Sequence, residues 1–191
     1  FAFDGDGDRL IVVDEKGNEV DGDKILALLA KDLLIKDKLY KKTVVATSMS
    51  NLSFELYLKN ELGINLVRTK VGDINVIKEM NTKSYSLGGE QSGHIIISEH
   101  SKTGDGILVA LKIMEILKKS NNKASDLFNV YVPYPQEKTN IPIHNRLNKK
   151  IDDNLNNLTV ETQKKKPHLR YLVRQSGTEP LLRILIEGLE K

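Results

Sequence analysis

The chain has 191 residues, which is enough for one large domain or two small ones. Its 29 basic and 26 acidic residues give a net charge of +3, a balance that does not indicate a nucleic-acid-binding protein. The chain contains no cysteine, which suits a reducing cytoplasm, and no apolar run of the roughly twenty residues that a membrane span needs. We therefore expect a cytoplasmic protein with neither nucleic acid nor a membrane as a partner.

Strand and helix patterns alternate along the first part of the chain. Short β-branched and apolar runs predict strands, and apolar residues at helical spacing behind a capping residue predict helices. In chain order, the predicted elements are a strand at Leu10–Asp14, a helix capped by Asp23, a strand at Thr43–Thr47, a helix led by Asn51 and stopped by Gly63, a strand at Ile64–Thr69, a helix capped by Asp73, strands at Tyr85–Leu87 and His94–Ser98, and a helix through Lys119. This alternation is typical of an α/β layer architecture.

The sequence changes character after Asn121-Asn122-Lys123. Prolines at positions 133, 135 and 142 punctuate extended segments. A polar helix at about Arg146–Asn157 is predicted next, and two strands close the chain, at Leu169–Arg174 and Leu181–Glu187. We place a domain boundary near Phe128 and predict a small α+β domain after it.

The first motif is an alternation of aspartate and glycine, Asp4-Gly5-Asp6-Gly7-Asp8, followed by Arg9; we call residues 4–9 the metal loop. In a regular strand the three aspartates would share one face and repel each other. The glycines let the backbone curl so that the carboxylates converge, and carboxylate oxygens suit a hard cation such as Mg²⁺, Ca²⁺ or Mn²⁺. The motif therefore predicts a divalent-metal site formed by Asp4, Asp6 and Asp8.

Two other interpretations of this motif stay open. Its spacing resembles the start of an EF-hand calcium loop, with Glu15 at the twelfth position, but Arg9 stands where that loop has glycine. The run Leu10–Val13 also predicts a strand, whereas an EF-hand needs a flanking helix. The second alternative is a solvated acidic turn, which Asp/Gly stretches commonly form.

The second motif is Gly88-Gly89-Glu90-Gln91-Ser92-Gly93-His94, which we call the sugar loop. Its carboxylate, amide and hydroxyl can together donate to and accept from vicinal sugar hydroxyls. A polar glycine-rich turn between two strands is an equally good explanation of the motif alone. His94 begins an apolar strand, where it is expected to be packed or to support the loop.

The third motif, Arg174–Arg183, is called the phosphate loop; it reads RQSGTEPLLR. One strand leads from Arg174 into a Ser176-Gly177-Thr178 turn, and the next strand brings back Arg183. Backbone N–H groups, hydroxyls and bidentate guanidinium groups suit a phosphate. The alternative is a hairpin turn with surface arginines. A further run, Thr103–Gly106, is explained as the start of a helix and receives no catalytic role.

A metal loop, a sugar loop and a phosphate loop in this order resemble the α-D-phosphohexomutase superfamily. The matching sequences are DGDGDR (4–9), GEQSGH (89–94), TGDG (103–106) and RQSGTEPLLR (174–183). Within the superfamily the chain most resembles the phosphoglucosamine mutase branch. The segment Thr47–Leu52 is similar to the TVMSNLG stretch of that branch, and Gln91 matches its GEQSGH.

Enzymes of this superfamily have four domains. The resemblance implies that residues 1–20 end domain 2, that residues 21–128 are domain 3 and that residues 129–191 are domain 4. The implied fold class is α/β, with a mixed-sheet domain 3 and a small α+β, TATA-binding-protein-like C-terminal domain. Because the chain begins at Phe1 and not at a methionine, we expect an N-terminal half of the same polypeptide to precede it.

The resemblance also implies an isomerase that acts on a hexose phosphate through a phosphoserine enzyme and a bisphosphosugar intermediate, with Mg²⁺ as cofactor. The phosphoserine is expected upstream, so the chain alone is expected to be inactive. The resemblance implies that Mg²⁺ is bound by Asp4, Asp6 and Asp8, and that Arg9 neutralises the charge of the phosphate being transferred. It implies that the hexose is bound by Glu90, Gln91, Ser92 and His94. The phosphate that is not transferred is expected to be bound by Arg174, Ser176, Gly177, Thr178 and Arg183.

Two departures from the superfamily pattern bear on activity. Ile74 follows Val71-Gly72-Asp73 where the superfamily has arginine, and Gln175 replaces a proline, which is expected to loosen the phosphate loop. Phosphomannomutase or phosphoglucomutase activity is the alternative within the superfamily. A non-catalytic sugar-phosphate or Ca²⁺-binding module is the alternative outside it.

Overall fold

The structure, a computed structural model, describes residues 1–144, 149–176 and 179–189. The chain forms two compact units, Phe1–Val132 and Pro133–Lys191. The sequence places the boundary near Phe128 and a further division at residue 20, and both positions stay predictions. In the part of the chain that the structure describes, no helix is long and apolar enough to cross a membrane.

The first unit begins with a small antiparallel sheet that frames the metal loop. Its strands are β1 (Ala2–Phe3), β2 (Leu10–Val13) and β3 (Glu19–Val20), in the order β1-β2-β3. The metal loop connects β1 to β2, and Phe3 pairs with Leu10. The short β1 and β3 are absent from the sequence prediction, because two-residue strands leave almost no periodic signal.

A four-stranded mixed sheet forms the centre of this unit. Its strands, in chain order, are β4 (Thr43–Thr47), β5 (Asn65–Thr69), β6 (Leu87–Gly89) and β7 (Ile95–Ile97). The spatial order is β5-β4-β6-β7, with β7 antiparallel to β6 and the other pairs parallel. The helices are α1 (Gly22–Ile35), α2 (Leu52–Leu62), α3 (Asp73–Lys83), α4 (Gly106–Ser120) and α5 (Ala124–Phe128). The predicted α/β class with a mixed sheet is confirmed.

The central sheet is covered on both faces. Successive side chains of a strand point to opposite sides, so Val44 and Ala46 join one core while Val45 joins the other. The larger core also contains the buried apolar residues of α1, α2 and α4, and the smaller one is closed by Val76 and Met80 of α3. The sheet is therefore a rigid middle layer whose connecting loops carry the polar motifs.

Local capping signals predict α2 correctly at both ends. The Asn51 side chain accepts a hydrogen bond from the Ser53 N–H at 3.0 Å, which identifies Asn51 as the N-cap. Gly63 ends the helix in the left-handed conformation, with φ of 63°.

The capping predictions for α1 and α3 are wrong by one or two residues. Asp21 caps α1 by accepting from the Lys24 N–H at 3.1 Å, so Asp23 lies inside the first turn, where it is fully buried. Gly72 is the residue before α3, and Asp73 is its first residue. The strand predicted at Tyr85–Leu87 lies at Leu87–Gly89, because Gly88 and Gly89 pair with β4.

In its described residues, the second unit is a three-stranded antiparallel sheet with one helix. Its elements are β8 (Gln136–Pro142), α6 (Lys149–Lys165), β9 (Leu169–Gln175) and β10 (Leu181–Gly188), with the strand order β8-β10-β9. The predicted α+β character of this unit is confirmed. Helix α6 runs eight residues past its predicted end at Asn157, and its predicted start at Arg146 lies outside the described residues.

Candidate functional site

The metal loop brings its three carboxylates together. One carboxylate oxygen from each of Asp4, Asp6 and Asp8 lies within 4.8 Å of the others. The Asp8 Oδ1 atom is buried and has no hydrogen-bond partner among the described residues. Three anionic oxygens this close repel each other unless a cation lies between them, so the loop has the donor set of a divalent-metal site.

The EF-hand interpretation is wrong. A strand follows the loop on its C-terminal side instead of the helix that an EF-hand requires. Glu15, the expected twelfth ligand, instead accepts hydrogen bonds from the Ser125 N–H at 3.0 Å and from the Ser125 hydroxyl at 2.5 Å. Its carboxylate therefore ties the β2–β3 turn to the start of α5.

Arg9 lies directly beside the metal loop carboxylates. Its backbone N–H donates to Asp4 Oδ1 at 3.2 Å, and its Nε atom is 3.7 Å from Asp4 Oδ2 and 3.8 Å from Asp8 Oδ1. About half of its side chain is exposed, at 52%. The guanidinium group is therefore close to the carboxylates and also accessible to a ligand.

His94 supports Asp8 from behind. Its Nδ1 atom lies 3.1 Å from Asp8 Oδ2, and its Nε2 atom accepts from the Gly104 N–H at 3.2 Å. A backbone N–H can only donate, so Nε2 is the unprotonated nitrogen and Nδ1–H donates to Asp8. The motif alone predicts that His94 is packed or supports the loop, and the resemblance implies that it binds substrate. Both ring nitrogens are engaged within the protein and the side chain is buried, which fits the first of these expectations. Its role here is to orient Asp8.

The residues at the start of α4 pack against His94 and the metal loop. A Cβ atom on Gly104 would lie 2.4–2.7 Å from three atoms of the His94 ring, so glycine is required for this approach. The Gly106 N–H donates to the Gly7 carbonyl at 2.9 Å, and Asp105 caps the helix through Leu108. Thr103–Gly106 is therefore a support for the metal loop as well as a helix start, which the sequence alone does not indicate.

The sugar loop lies against the end of the metal loop. The Leu10 N–H donates to the Gly93 carbonyl at 3.1 Å, and Arg9 forms an isolated bridge with His94. Gly93 has φ of 94°, and a Cβ atom there would lie 2.2 Å from the Leu10 carbonyl oxygen. This contact joins two residues, Leu10 and Gly93, that are more than eighty positions apart in the sequence.

The polar side chains of the sugar loop have different environments. Glu90 Oε1 accepts from the Gly72 N–H at 3.0 Å, and Ser92 is exposed. Gln91 donates from Nε2 to Asp21 Oδ2 at 3.2 Å and to Asp23 Oδ2 at 3.4 Å. The loop is thus fixed on one side to the segment before α3 and on the other to the start of α1.

Asp23 is a buried carboxyl that sequence reasoning interprets only as a helix cap. Its Oδ2 atom accepts from the Asn51 N–H at 2.8 Å, while Oδ1 has no partner among the residues described. Burial raises the pKa of Asp23 to about 7, and the nearby Asp21 carboxylate adds to the rise. Burial also raises the pKa of the Tyr131 phenol, with further contributions from Asp23 and Asp21.

The phosphate loop of the second unit presents two arginines side by side. Arg174 of β9 pairs directly with Arg183 of β10, so both side chains leave the same face of the sheet. Their Nε atoms are buried and lack a partner within the described ranges, although Arg183 also pairs with Glu179. Burial, and then the charge of Arg183, lower the pKa of Arg174. Like charges placed opposite each other destabilise a sheet, so this pair favours an anionic ligand.

Ser176 shapes the turn between these strands. Its N–H donates to the Leu181 carbonyl at 2.8 Å, and its hydroxyl oxygen accepts from the Glu179 N–H at 3.3 Å. Among the described residues no acceptor takes the hydroxyl hydrogen, and the Ser176 side chain is buried. Gly177 and Thr178, the other predicted residues of this turn, lie outside the described residues.

Two family models match almost the whole chain. Residues 21–134 match the phosphoglucomutase/phosphomannomutase α/β/α domain III, and residues 136–191 match the C-terminal domain of the same family.

Curated relatives and solved structures agree with these matches. Phosphoglucosamine mutases of Thermoanaerobacter sp. strain X514 and Clostridium kluyveri are 51% and 46% identical over 98% and 100% of the chain. The chain spans 42% and 43% of the length of these two relatives. The crystal structure of Aspergillus fumigatus N-acetylphosphoglucosamine mutase in complex with GlcNAc-6P and magnesium matches with a TM-score of 0.80 at 22% identity, over 98% of this chain and 48% of that one.

Proposed function

The chain belongs to the phosphoglucomutase/phosphomannomutase family, and we propose that it supplies the metal, sugar and phosphate loops of a phosphoglucosamine mutase. That enzyme interconverts glucosamine 6-phosphate and glucosamine 1-phosphate through a phosphoserine and a bisphosphosugar. The observation that carries the proposal is the bond from His94 of the sugar loop to Asp8 of the metal loop, because it joins a hexose-binding motif to a cation-binding one. The similarity to phosphoglucosamine mutases supports the choice of substrate.

The metal loop fits Mg²⁺. Asp4, Asp6 and Asp8 would hold the ion, because their oxygens converge and Asp8 Oδ1 is buried without a partner among the described residues. The magnesium complex of the Aspergillus protein supports this choice of ion. Lewis-acid stabilisation of the transferring phosphate is the chemistry that Mg²⁺ supplies when bound there.

The other side chains would position the ligand and neutralise its charge. Phosphoryl transfer depends mainly on these two effects. Arg9 would contact the transferring phosphate, since its guanidinium is close to the carboxylates and half exposed. Glu90 and Ser92 would hydrogen-bond the hexose hydroxyls. The phosphate that is not transferred would be bound by Arg174, Ser176, Gly177, Thr178 and Arg183.

A chimeric enzyme tests this proposal. Residues 1–191 replace the matched segment of the Thermoanaerobacter relative, and the unmodified relative is the control. In a coupled assay we expect the chimera to convert glucosamine 6-phosphate faster than mannose 6-phosphate or glucose 6-phosphate. Faster turnover of the last two would favour phosphomannomutase or phosphoglucomutase activity. A folded chimera that turns over none of the three would contradict both activities.

A further inference from the structure

We propose that Asp21 and Asp23 form a carboxylate clamp that fixes the orientation of the Gln91 side chain and so selects a ligand that carries an amine. The clamp rests on the proposed function, because it explains how the sugar loop distinguishes glucosamine phosphate from hexose phosphates without an amine. Asp21 and Asp23 are positioning residues in this account. Gln91 is the side chain that would meet the ligand.

The clamp depends on the chemical difference between the two ends of the Gln91 side-chain amide. Its nitrogen carries two hydrogens and can only donate, and its oxygen can only accept. Gln91 Nε2 lies 3.2 Å from Asp21 Oδ2 and 3.4 Å from Asp23 Oδ2, so each hydrogen has a carboxylate acceptor. The reverse orientation would place the amide oxygen against the Asp21 carboxylate, and at a pH where Asp23 is also ionised it would lose both bonds. The carboxylates therefore determine which end of Gln91 faces away from them.

The end that remains available is an acceptor. Gln91 Oε1 receives no hydrogen bond from any residue that the structure describes. A protonated amine donates a charge-assisted hydrogen bond to this oxygen, whereas a hydroxyl or the N–H of an N-acetyl group donates an uncharged and weaker one.

The clamp is part of the fold and not a surface contact. Asp21 is held as the N-cap of α1, and Asp23 is fully buried and bonded to the Asn51 N–H at 2.8 Å. The Gly22 N–H, between the two aspartates, donates to the Gln91 carbonyl at 2.9 Å. The backbone and the side chain of Gln91 are thus both tied to the same turn. Loss of one carboxylate should free the amide to rotate without detaching the loop.

Two variants and one matched control test the clamp in the chimera. Asp21→Ser removes one carboxylate and keeps a good N-cap. Asp23→Asn removes the other at almost constant shape. Asp37→Asn removes the same charge at an exposed left-handed position, with φ of 56°, that Asn also tolerates. The affinities for glucosamine 6-phosphate and glucose 6-phosphate are measured by calorimetry, and folding is checked by circular dichroism.

We expect the wild-type chimera to bind glucosamine 6-phosphate more tightly than glucose 6-phosphate. Each clamp variant should lower this preference about ten-fold, the range expected for one hydrogen bond to a charged group, and leave glucose 6-phosphate affinity nearly unchanged. Asp37→Asn should keep the wild-type preference. If Asp23→Asn does not fold, Asp21→Ser decides.

Two results would overturn the clamp. If folded clamp variants keep the wild-type ratio of the two affinities, even when both affinities fall equally, the clamp is rejected and the proposed function still stands. A wild-type chimera without any preference for glucosamine 6-phosphate would reject the clamp together with the proposed substrate.

Discussion

Several side chains keep a polar atom buried without a hydrogen-bond partner among the described residues. They include Asp8 Oδ1, Asp23 Oδ1, Arg174 Nε and Arg183 Nε. Leaving such an atom unpaired costs about 1–3 kcal/mol, more for a charged group. Three of these four atoms lie in the metal and phosphate loops, and the fourth lies beside the sugar loop. Residues that lower stability are therefore concentrated where the proposed ligands would bind.

Asp23 should make stability depend on pH. Its pKa is about 7 in the folded chain, against 3.8 for the ordinary carboxyl. Between these values the folded state keeps a proton that the unfolded state has lost, so the contribution of Asp23 to stability falls as pH rises and is lowest above about pH 7. We expect Asp23→Asn to stabilise the chain more at pH 8 than at pH 5, by roughly 2–3 kcal/mol. Urea unfolding at the two pH values measures this difference, and an equal effect at both would contradict it.

Gly104 should tolerate no side chain, because its Cα faces the His94 ring. We expect Gly104→Ala to lower the free energy of unfolding by about 1–3 kcal/mol, the usual cost of overpacking. Gly5→Ala is the control, because a Cβ atom there meets nothing within 4 Å. Urea unfolding of both variants, with the His94 ring signals followed by NMR, provides the comparison. Equal stability of the two variants would show that the ring can move away.

At the scale of elements, the sequence predicts best what neighbouring residues determine. Asn51 and Gly63 bound α2 because a cap bond and a left-handed residue depend only on the adjacent turn. The sequence Asp21-Gly22-Asp23 offers two possible caps, and the choice depends on how α1 packs, which explains the wrong prediction. Helix α5 is too short for a periodic signal, although it places Phe128 in the core.

The candidate site is predicted as a set of loops but not as a set of contacts. The aspartate spacing in the metal loop is enough to predict convergence, since those residues are sequence neighbours. The bonds from His94 to Asp8 and from Gln91 to Asp21 cross 86 and 70 residues, so they depend on the order of strands in the sheet. Single-sequence patterns carry no information on such pairs.

The β9–β10 hairpin offers a test at the scale of elements. Its two facing arginines should increase the affinity for an anionic ligand and lower the stability of the sheet. We expect Arg174→Ala to weaken sugar-phosphate binding by the chimera about ten-fold or more, since a bidentate charge-assisted contact is lost. Arg174→Lys keeps the charge but not the fork, so it should lose less affinity. Calorimetric titration with glucosamine 6-phosphate measures both.

The same variants separate binding from folding. Removing one of two like charges that face each other across strands should leave the unfolding midpoint unchanged or slightly higher. The matched control is Lys150→Ala, which removes one positive charge from the exposed start of α6, outside the hairpin. Affinity as high in Arg174→Ala as in wild type and Lys150→Ala would mean that the phosphate loop is only a turn.

For the whole molecule, the account depends on residues that lie far apart in the sequence. The metal loop begins at Asp4, the sugar loop ends at His94 and the phosphate loop ends at Arg183. In the first unit, the strand order brings the metal and sugar loops into contact through Leu10 and Gly93. The chain covers 42–43% of the length of its curated relatives, so activity is best tested in the chimera.

The substitution Asp6→Asn in the chimera tests the central claim most directly. Asp6 is exposed, and its carboxylate is one of the three that converge, so the substitution should change metal binding without affecting the fold. Asp153→Asn, on the exposed face of α6, is the matched control. We expect Asp6→Asn to lower kcat at least a hundred-fold, about 2.7 kcal/mol in the barrier, while glucosamine 6-phosphate affinity stays within about three-fold of wild type. An unchanged kcat in folded Asp6→Asn would contradict the assignment of the metal loop and, with it, the proposed catalytic site.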